Sequence, residues 1–359
     1  SQIGSEEVTN GNFSQIGSEQ ITNGSFDTDT DWTKGTGWSI GGGTANCDGT
    51  QTSNTSLYQA ALTLNKTYKF EFTISDITSG QVRLRNGIGD SETYIGYQNA
   101  AGTFTAYAKV NGNTILVIDG DADFIGSIDN VSVKEVGQDW TLGSGWSIGD
   151  DKAICDGTQT STSYCQQIIP ISTGDSVKLS IDVTVDSGTF TILDGNSGTI
   201  VLSETVSGTY TVYFTWSGSN SNLFLRAPIG FVGSVTNISV KEVGQNWTLQ
   251  NGWSIGNDVA IFNGTASAYR TIYQENILTV SNKYRLTFDI VSISLGSIEN
   301  ISQSNPISYN TIGTKTEDFI ATNASLFLKP TTTSDLTIDN ISVIEITDDT
   351  NLPRINYSG

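Results

Sequence analysis

Along the chain, apolar and polar residues exchange places every second position. TYKFEFTIS (67–75), VKLSIDVTV (177–185) and KYRLTFDIV (283–291) all do so, the pattern of a strand with one buried face. GTYTVYFTW (208–216) and NLFLRA (222–227) continue it, and no stretch shows the wider spacing of an amphipathic helix. Such short runs, separated by Gly, Asn and Asp turns, predict an all-β chain built as two-sheet sandwiches of jelly-roll type.

The pattern also repeats on a larger scale. GWSIG stands at 37–41, 145–149 and 252–256; DGTQTS at 48–53 and 156–161 has a weaker counterpart, NGTASA, at 263–268. Matching phrases close each unit: IDNVSVKEV (128–136), VTNISVKEV (235–243) and IDNISVIEI (338–346). Self-similarity at a fixed period marks tandem units, so the expectation is three tandem jelly-roll domains. Their bounds are 27–138, 139–245 and 246–347, after a duplicated arm (1–26) and before a linker or tail (348–359). KEVGQDW (134–140) and KEVGQNW (241–247) read as seams: the end of a closing strand, a turn, and the first residues of the next unit. So short a seam predicts units that touch.

The arm is itself two copies, SQIGSEEVTNGNF (1–13) and SQIGSEQITNGSF (14–26). Only the second runs into the first unit. The first is expected to be spare: an arm, an anchor or a strand donated to a neighbour.

Composition narrows the chemistry. The net charge is −20, which argues against nucleic acid and anionic lipid as partners. No 18-residue apolar run is present, so no membrane insertion is expected. Histidine is absent, which removes Ser-His-Asp and Cys-His catalysis and histidine-based zinc sites. The acidic run Asp119, Asp121, Asp123 and the pair Asp150, Asp151 do not by themselves define an acid–base couple, and the chain is expected not to be an enzyme. Cys47 and Cys155 share a repeat position with Phe262 and so read as buried apolar residues, while Cys165 aligns with Tyr58 and Tyr273. Free thiols are the default for all three, with a Cys155–Cys165 bridge as the alternative.

TNGSF (22–26), GWSIG and the closing IDNVSVKEV together resemble the family 4/9-type carbohydrate-binding modules. They look similar in particular to the tandem copies on virion surface and fibre proteins of marine and Bacteroidetes-infecting bacteriophages. The resemblance spans about residues 14–346, and the tail phrase NLPRINYSG is similar to segments that precede further domains there. It implies a structural calcium between opening and closing strands, with Asn23, Asp27 and Asp129 as the matching positions. Calcium takes several carboxylate and carbonyl oxygens. Units two and three lack the NGxFD lead-in, and Thr236 replaces the Asp129 equivalent in unit two.

Aromatic residues are the candidate sugar contacts. Trp38, Trp146 and Trp253 each share a face with an isoleucine two residues on and read as core. Trp32, Trp140 and Trp247 read as covers for a sandwich end or a joint. A ligand site should stand apart from the repeated core, which singles out Tyr94, Tyr97, Trp216, Tyr269 and Tyr309. Tyr107 and Tyr213 align with Asp318 and alternate with Ala108, Phe214 and Phe319, so they are expected to face outward. The glycan contacts are therefore Tyr94, Tyr97, Tyr107, Tyr213 and Trp216.

With the resemblance, these readings make the chain a non-enzymatic virion surface or fibre protein that binds host-surface glycans. Its expected partners are other capsid or tail proteins and its own copies, a trimer being the fibre-like form; its place is the virion surface or the extracellular space. Two alternatives stand beside it: a structural capsid decoration or spacer, and the accessory binding region of a secreted bacterial enzyme or adhesin.

Overall fold

The computed structural model describes residues 3–87, 93–195, 199–264, 268 and 270–347. Tyr269 and the expected tail (348–359) lie outside the described residues. All the regular structure described is strand, and among the described residues no helix is long and apolar enough to cross a membrane.

Each repeat forms two antiparallel sheets whose strands interleave in the chain. In unit one, one sheet runs Trp38–Gly41, Thr44–Asp48, Ile125–Val136, Thr67–Ser79, Gly102–Lys109. The other runs Thr33–Lys34, Thr55–Ala60, Ile115–Gly120, Val82–Asn86, Thr93–Gln98. Successive strands thus cross repeatedly from sheet to sheet, the Greek-key interleaving of a jelly roll. Units two and three repeat the same order. The alternation in sequence explains the burial: Tyr68, Phe70, Phe72 and Ile74 of one sheet meet Leu57, Leu84, Leu116 and Ile118 of the other in a single hydrophobic cluster. The GWSIG tryptophans lie in these cores, 6%, 5% and 7% exposed, as their period-two neighbours predict.

The closing strand carries a deliberate irregularity. Asn130, Asn237 and Asn340 sit at φ 53°, 52° and 51°, a left-handed conformation that asparagine tolerates better than most residues. The pairing register shifts there. Before the shift, the closing strand of unit one pairs with Thr44–Asp48 through Ile125–Ile128. Beyond it, that partner is gone, and the side is free for another strand.

The arm fills that side, and here the expectation of a spare first copy is corrected. Ile16–Glu19 pairs with the closing strand of unit one, Ile16 opposite Val136. Ile3–Glu6 pairs with the closing strand of unit two, Val232–Val243, with Ile3 opposite Val243. The reason is that unit two has no lead-in of its own, and the first copy has the same apolar and turn residues as the second.

The seams are packed joints. Val136 belongs to the hydrophobic cluster of unit two and Val243 to that of unit three. Gly137 and Gly244 turn the chain at φ 68° and 70°, so each closing strand ends inside its neighbour's core.

The cysteines are free and buried, and burial raises the Cys165 thiol well above its ordinary value. Strand register corrects the alignment of Cys165. It stands opposite Leu142 as Leu57 stands opposite Lys34 and Ile272 opposite Leu249, an inward position rather than that of Tyr58.

Candidate functional site

On the second sheet of unit one, Val82 and Leu84 point into the core, so Arg83 and Arg85 take the opposite face. Their neighbours across the sheet lie on that face too: Asp119 opposite Arg83, and Val117 opposite Arg85. On the edge strand, Tyr97 stands opposite Arg83 and Tyr94 opposite Arg85. A bulge between these pairs draws the two tyrosines to one side of the sheet, although they are three residues apart.

The two rings are parallel, with centroids 6.0 Å apart and an interplanar angle of 13°. They are 47% and 56% exposed. The Arg83 guanidinium stands 5.7 Å from the Tyr94 ring centroid, within cation–π range. Beneath them Asp119, 1% exposed, organises the face. It accepts from Arg85 Nε, from Arg85 Nη2 at 3.2 Å and from Ser56 Oγ at 2.6 Å, and Arg83 Nη2 lies 3.7 Å away. Arg85 Nη1 also donates to the Gly87 carbonyl at 2.8 Å. Among the described residues Arg83 Nε is buried without a hydrogen-bond partner. An exposed parallel ring pair beside a guanidinium suits a ligand with an apolar ring face and hydroxyl or carboxylate oxygens.

Register shows that this face belongs to unit one alone. The positions of Arg83, Arg85 and Asp119 hold Thr191, Leu193 and Arg226 in unit two. Tyr94 and Tyr97 correspond there to Ile200 and Ser203. In unit three Glu299 and Lys329 take the places of Arg83 and Asp119. The signal in the sequence was VRLRN (82–86), two cations at strand spacing between core residues; the candidate list had the tyrosines but not Arg83, Arg85 or Asp119.

The other glycan candidates fall elsewhere. Trp216 is fully buried, its indole N–H donating to the Asn220 carbonyl at 3.0 Å, so it is a core residue. Tyr107 and Tyr213 do leave their own unit's core, but they are half-buried rather than exposed. Tyr107 packs against the cluster of unit two, over Gly149, and Tyr213 against that of unit three, over Gly256. The seam is so short that the next unit covers them. They are joint residues.

The three calcium candidates are each engaged locally. The Asn23 amide donates to the carbonyls of Thr28 and Thr30 at 2.6 and 3.0 Å. Asp27 accepts from Ser25 Oγ at 2.6 Å, and Asp129 from the backbone N–H of Asn130 at 2.6 Å. Carbonyl oxygens that a hard cation would need are thus held by an amide, and the arrangement does not fit calcium. Among the described residues no group of three or more Cys, Asp or Glu side chains is placed to hold a metal.

One buried carboxylate stands out in unit three. Glu317 accepts from Tyr309 Oη at 3.0 Å and from Gln303 Nε2 at 3.2 Å. Burial raises its carboxyl above the ordinary carboxylate value, and burial together with the adjacent Glu317 pushes the Tyr309 phenol up to about 12. Between the unfolded and folded values the native state holds a proton that the unfolded chain has lost, so stability falls as pH rises through that window. Glu317→Gln is expected to flatten this fall. Thermal midpoints of the two proteins should converge near pH 4 and separate at pH 7 with the variant higher; equal differences at both would refute it.

No protein-family model and no curated protein matches the chain. Solved structures overlap it weakly. The tandem CBM22-1–CBM22-2 domain of Paenibacillus barcinonensis Xyn10C is 9% identical, covering 64% of this chain and 99% of that one, with a TM-score of 0.29. A chain of Sulfolobus turreted icosahedral virus is 12% identical over 89% of this chain and 92% of its own, with a TM-score of 0.20. A triple jelly-roll turret protein of an archaeal virus is 12% identical over 91% and 90%, also with a TM-score of 0.20. At such scores the superpositions carry no functional inference. The jelly-roll assignment stands on the strand order described above.

Proposed function

We propose that the chain is a non-enzymatic glycan-binding surface protein whose contact face is the Tyr94–Tyr97 platform of unit one. The parallel, exposed ring pair beside Arg83 carries this reading. A pyranose lays its C–H face on an aromatic ring while its hydroxyls seek fixed donors. Units two and three act as spacers that hold the platform away from an attachment point, consistent with Ile200 and Ser203 where unit two would have the tyrosines. The sequence resemblance places such display on a virion surface or fibre, attached through other virion proteins, where oligomerisation multiplies weak sites through effective concentration.

Glycan-array binding tests it. The double variant Tyr94→Ala/Tyr97→Ala is expected to lose binding by more than about tenfold, the usual effect of truncating aromatic anchors. Trp216 and the joint residues Tyr107 and Tyr213 are not contacts in this reading. Absence of glycan binding by the intact protein, or binding indifferent to the double variant, rejects it in favour of a purely structural role.

A further inference from the structure

Two of the three units hold a lead-in strand in the same way, down to individual atoms. In unit one, Thr22 and Gln59 exchange two hydrogen bonds at 2.9 Å, Val131 N donates to the Gly24 carbonyl at 2.9 Å, and Trp32 Nε1 donates to the Asn23 carbonyl at 3.0 Å. Glu19 caps the strand by accepting from Ser132 Oγ and Val133 N. In unit two the same parts are Thr9 with Gln167, Gly11 with Ile238, Asn10 with Trp140, and Glu6 with Ser239 and Val240. The final phenylalanine of each lead-in packs at a tilt against that tryptophan, Phe26 against Trp32 at 5.3 Å and Phe13 against Trp140 at 5.0 Å. The glycine of each NGxF is obligatory, because a Cβ there would stand 2.0 Å from Val131 O or 1.9 Å from Ile238 O.

Unit three has every acceptor part and, among the described residues, no lead-in strand. Trp247, Gln274, Asn340, Ile341 and Val343 occupy the matching positions, and its sheet has five described strands where the other two have six. A groove of about 260 Å³ opens where the strand would lie, lined by Trp247, Ile255, Gln274, Ile338, Asn340 and Ile341. Exposure tracks the difference. Trp32 and Trp140 are buried but Trp247 is half-buried; Val131 and Val133 are buried, as are Ile238 and Val240, whereas Ile341 and Val343 are only half-buried. The closing strand Asp335–Glu345 is unpaired on that side after Ile338 among the described residues.

The geometry points to unit three as the receptor for a third lead-in strand of the type Ile-Gly-Ser-Glu-x-(Ile/Val)-Thr-Asn-Gly-x-Phe, donated by a partner polypeptide. The mode is strand addition to a sheet edge, with the phenylalanine closing on Trp247. A second copy of this chain is a poor donor. The two lead-ins at residues 1–26 are already seated on units two and one, so giving one away empties a receptor and gains nothing.

The test is a calorimetric titration of the full chain with the synthetic peptide SQIGSEEVTNGNF, the sequence of residues 1–13. One saturable site per chain is expected, with new hydrogen-exchange protection at residues 341–345. Trp247→Ala, Gln274→Ala, and a peptide carrying alanine for its NGNF glycine should each weaken binding by at least about tenfold, the loss that a missing anchor or a backbone clash gives. Trp247 and Gln274 are both half-buried, and Gln274 on the groove wall serves as the check should Trp247→Ala fold poorly. No saturation by about 1 mM peptide, a limit corresponding to negligible affinity, overturns the proposal. So does affinity unchanged by both variants. Sedimentation showing that the chain alone dimerises and that the peptide dissociates it would replace the partner by a second copy.

Discussion

Phe13→Ala is expected to destabilise unit two by about 3–5 kcal/mol, the range for deleting a fully buried phenylalanine, and to leave unit one close to unchanged. Phe13 is 1% exposed and lies in the hydrophobic cluster of unit two, far away in sequence from the residues it touches. Its loss removes the tilted ring contact with Trp140 and opens a cavity where the lead-in turn meets Ile238. The turn gives little help in refilling it, because Phe13 sits at φ 56° and is tied to Asn10 by its own N–H. Phe26→Ala is the matched control, expected to strike unit one by a similar amount and spare unit two. Hydrogen exchange at Ser176–Ser187 and Thr67–Ser79, the central strands of the two units, reads the effects separately. If Phe13→Ala loosened unit one instead, or neither unit, the crossed assignment of the two lead-ins would be wrong.

That crossing marks the limit of what the sequence made legible. Period-two alternation and the repeated closing phrase led directly to interleaved jelly-roll sheets, because each depends only on local spacing. KEVGQDW was legible as a seam for the same reason. The lead-in's destination was not, since pairing of Ile3 with Val243 is a choice between three near-identical receptors. Donor counting was the usable signal: two NGxF copies against three closing strands. Tyr107 and Tyr213 failed differently. Alternation correctly turned them away from their own cores, but no period reports that the next unit covers the outer face. Trp216 stood out because it was unrepeated, yet an unrepeated aromatic fills a core as readily as it lines a site. Tyr94 and Tyr97 were found from the sequence, but the bulge that aligns their rings, and the buried Asp119 beneath them, depend on three strands meeting.

Asp119→Ala is expected to cost unit one about 3–5 kcal/mol, as for removal of one partner from a buried ion pair. The carboxylate is the acceptor that Arg85 and Ser56 share. Without it, Arg85, only 8% exposed, loses the carboxylate that it shares with Ser56. The same variant should weaken glycan binding on the proposed platform, because Arg83 beside Tyr94 takes its place on this face next to the pair. Unit two suggests how to separate the two effects. It holds Leu193 where unit one has Arg85, and replacing a whole buried pair by apolar residues is often neutral. Arg85→Leu/Asp119→Ala should therefore recover most of the thermal stability that Asp119→Ala loses, as read by calorimetry. Glycan binding should stay impaired in the double variant if the charged layer positions Arg83, and should return with stability if that layer only holds the sheet together.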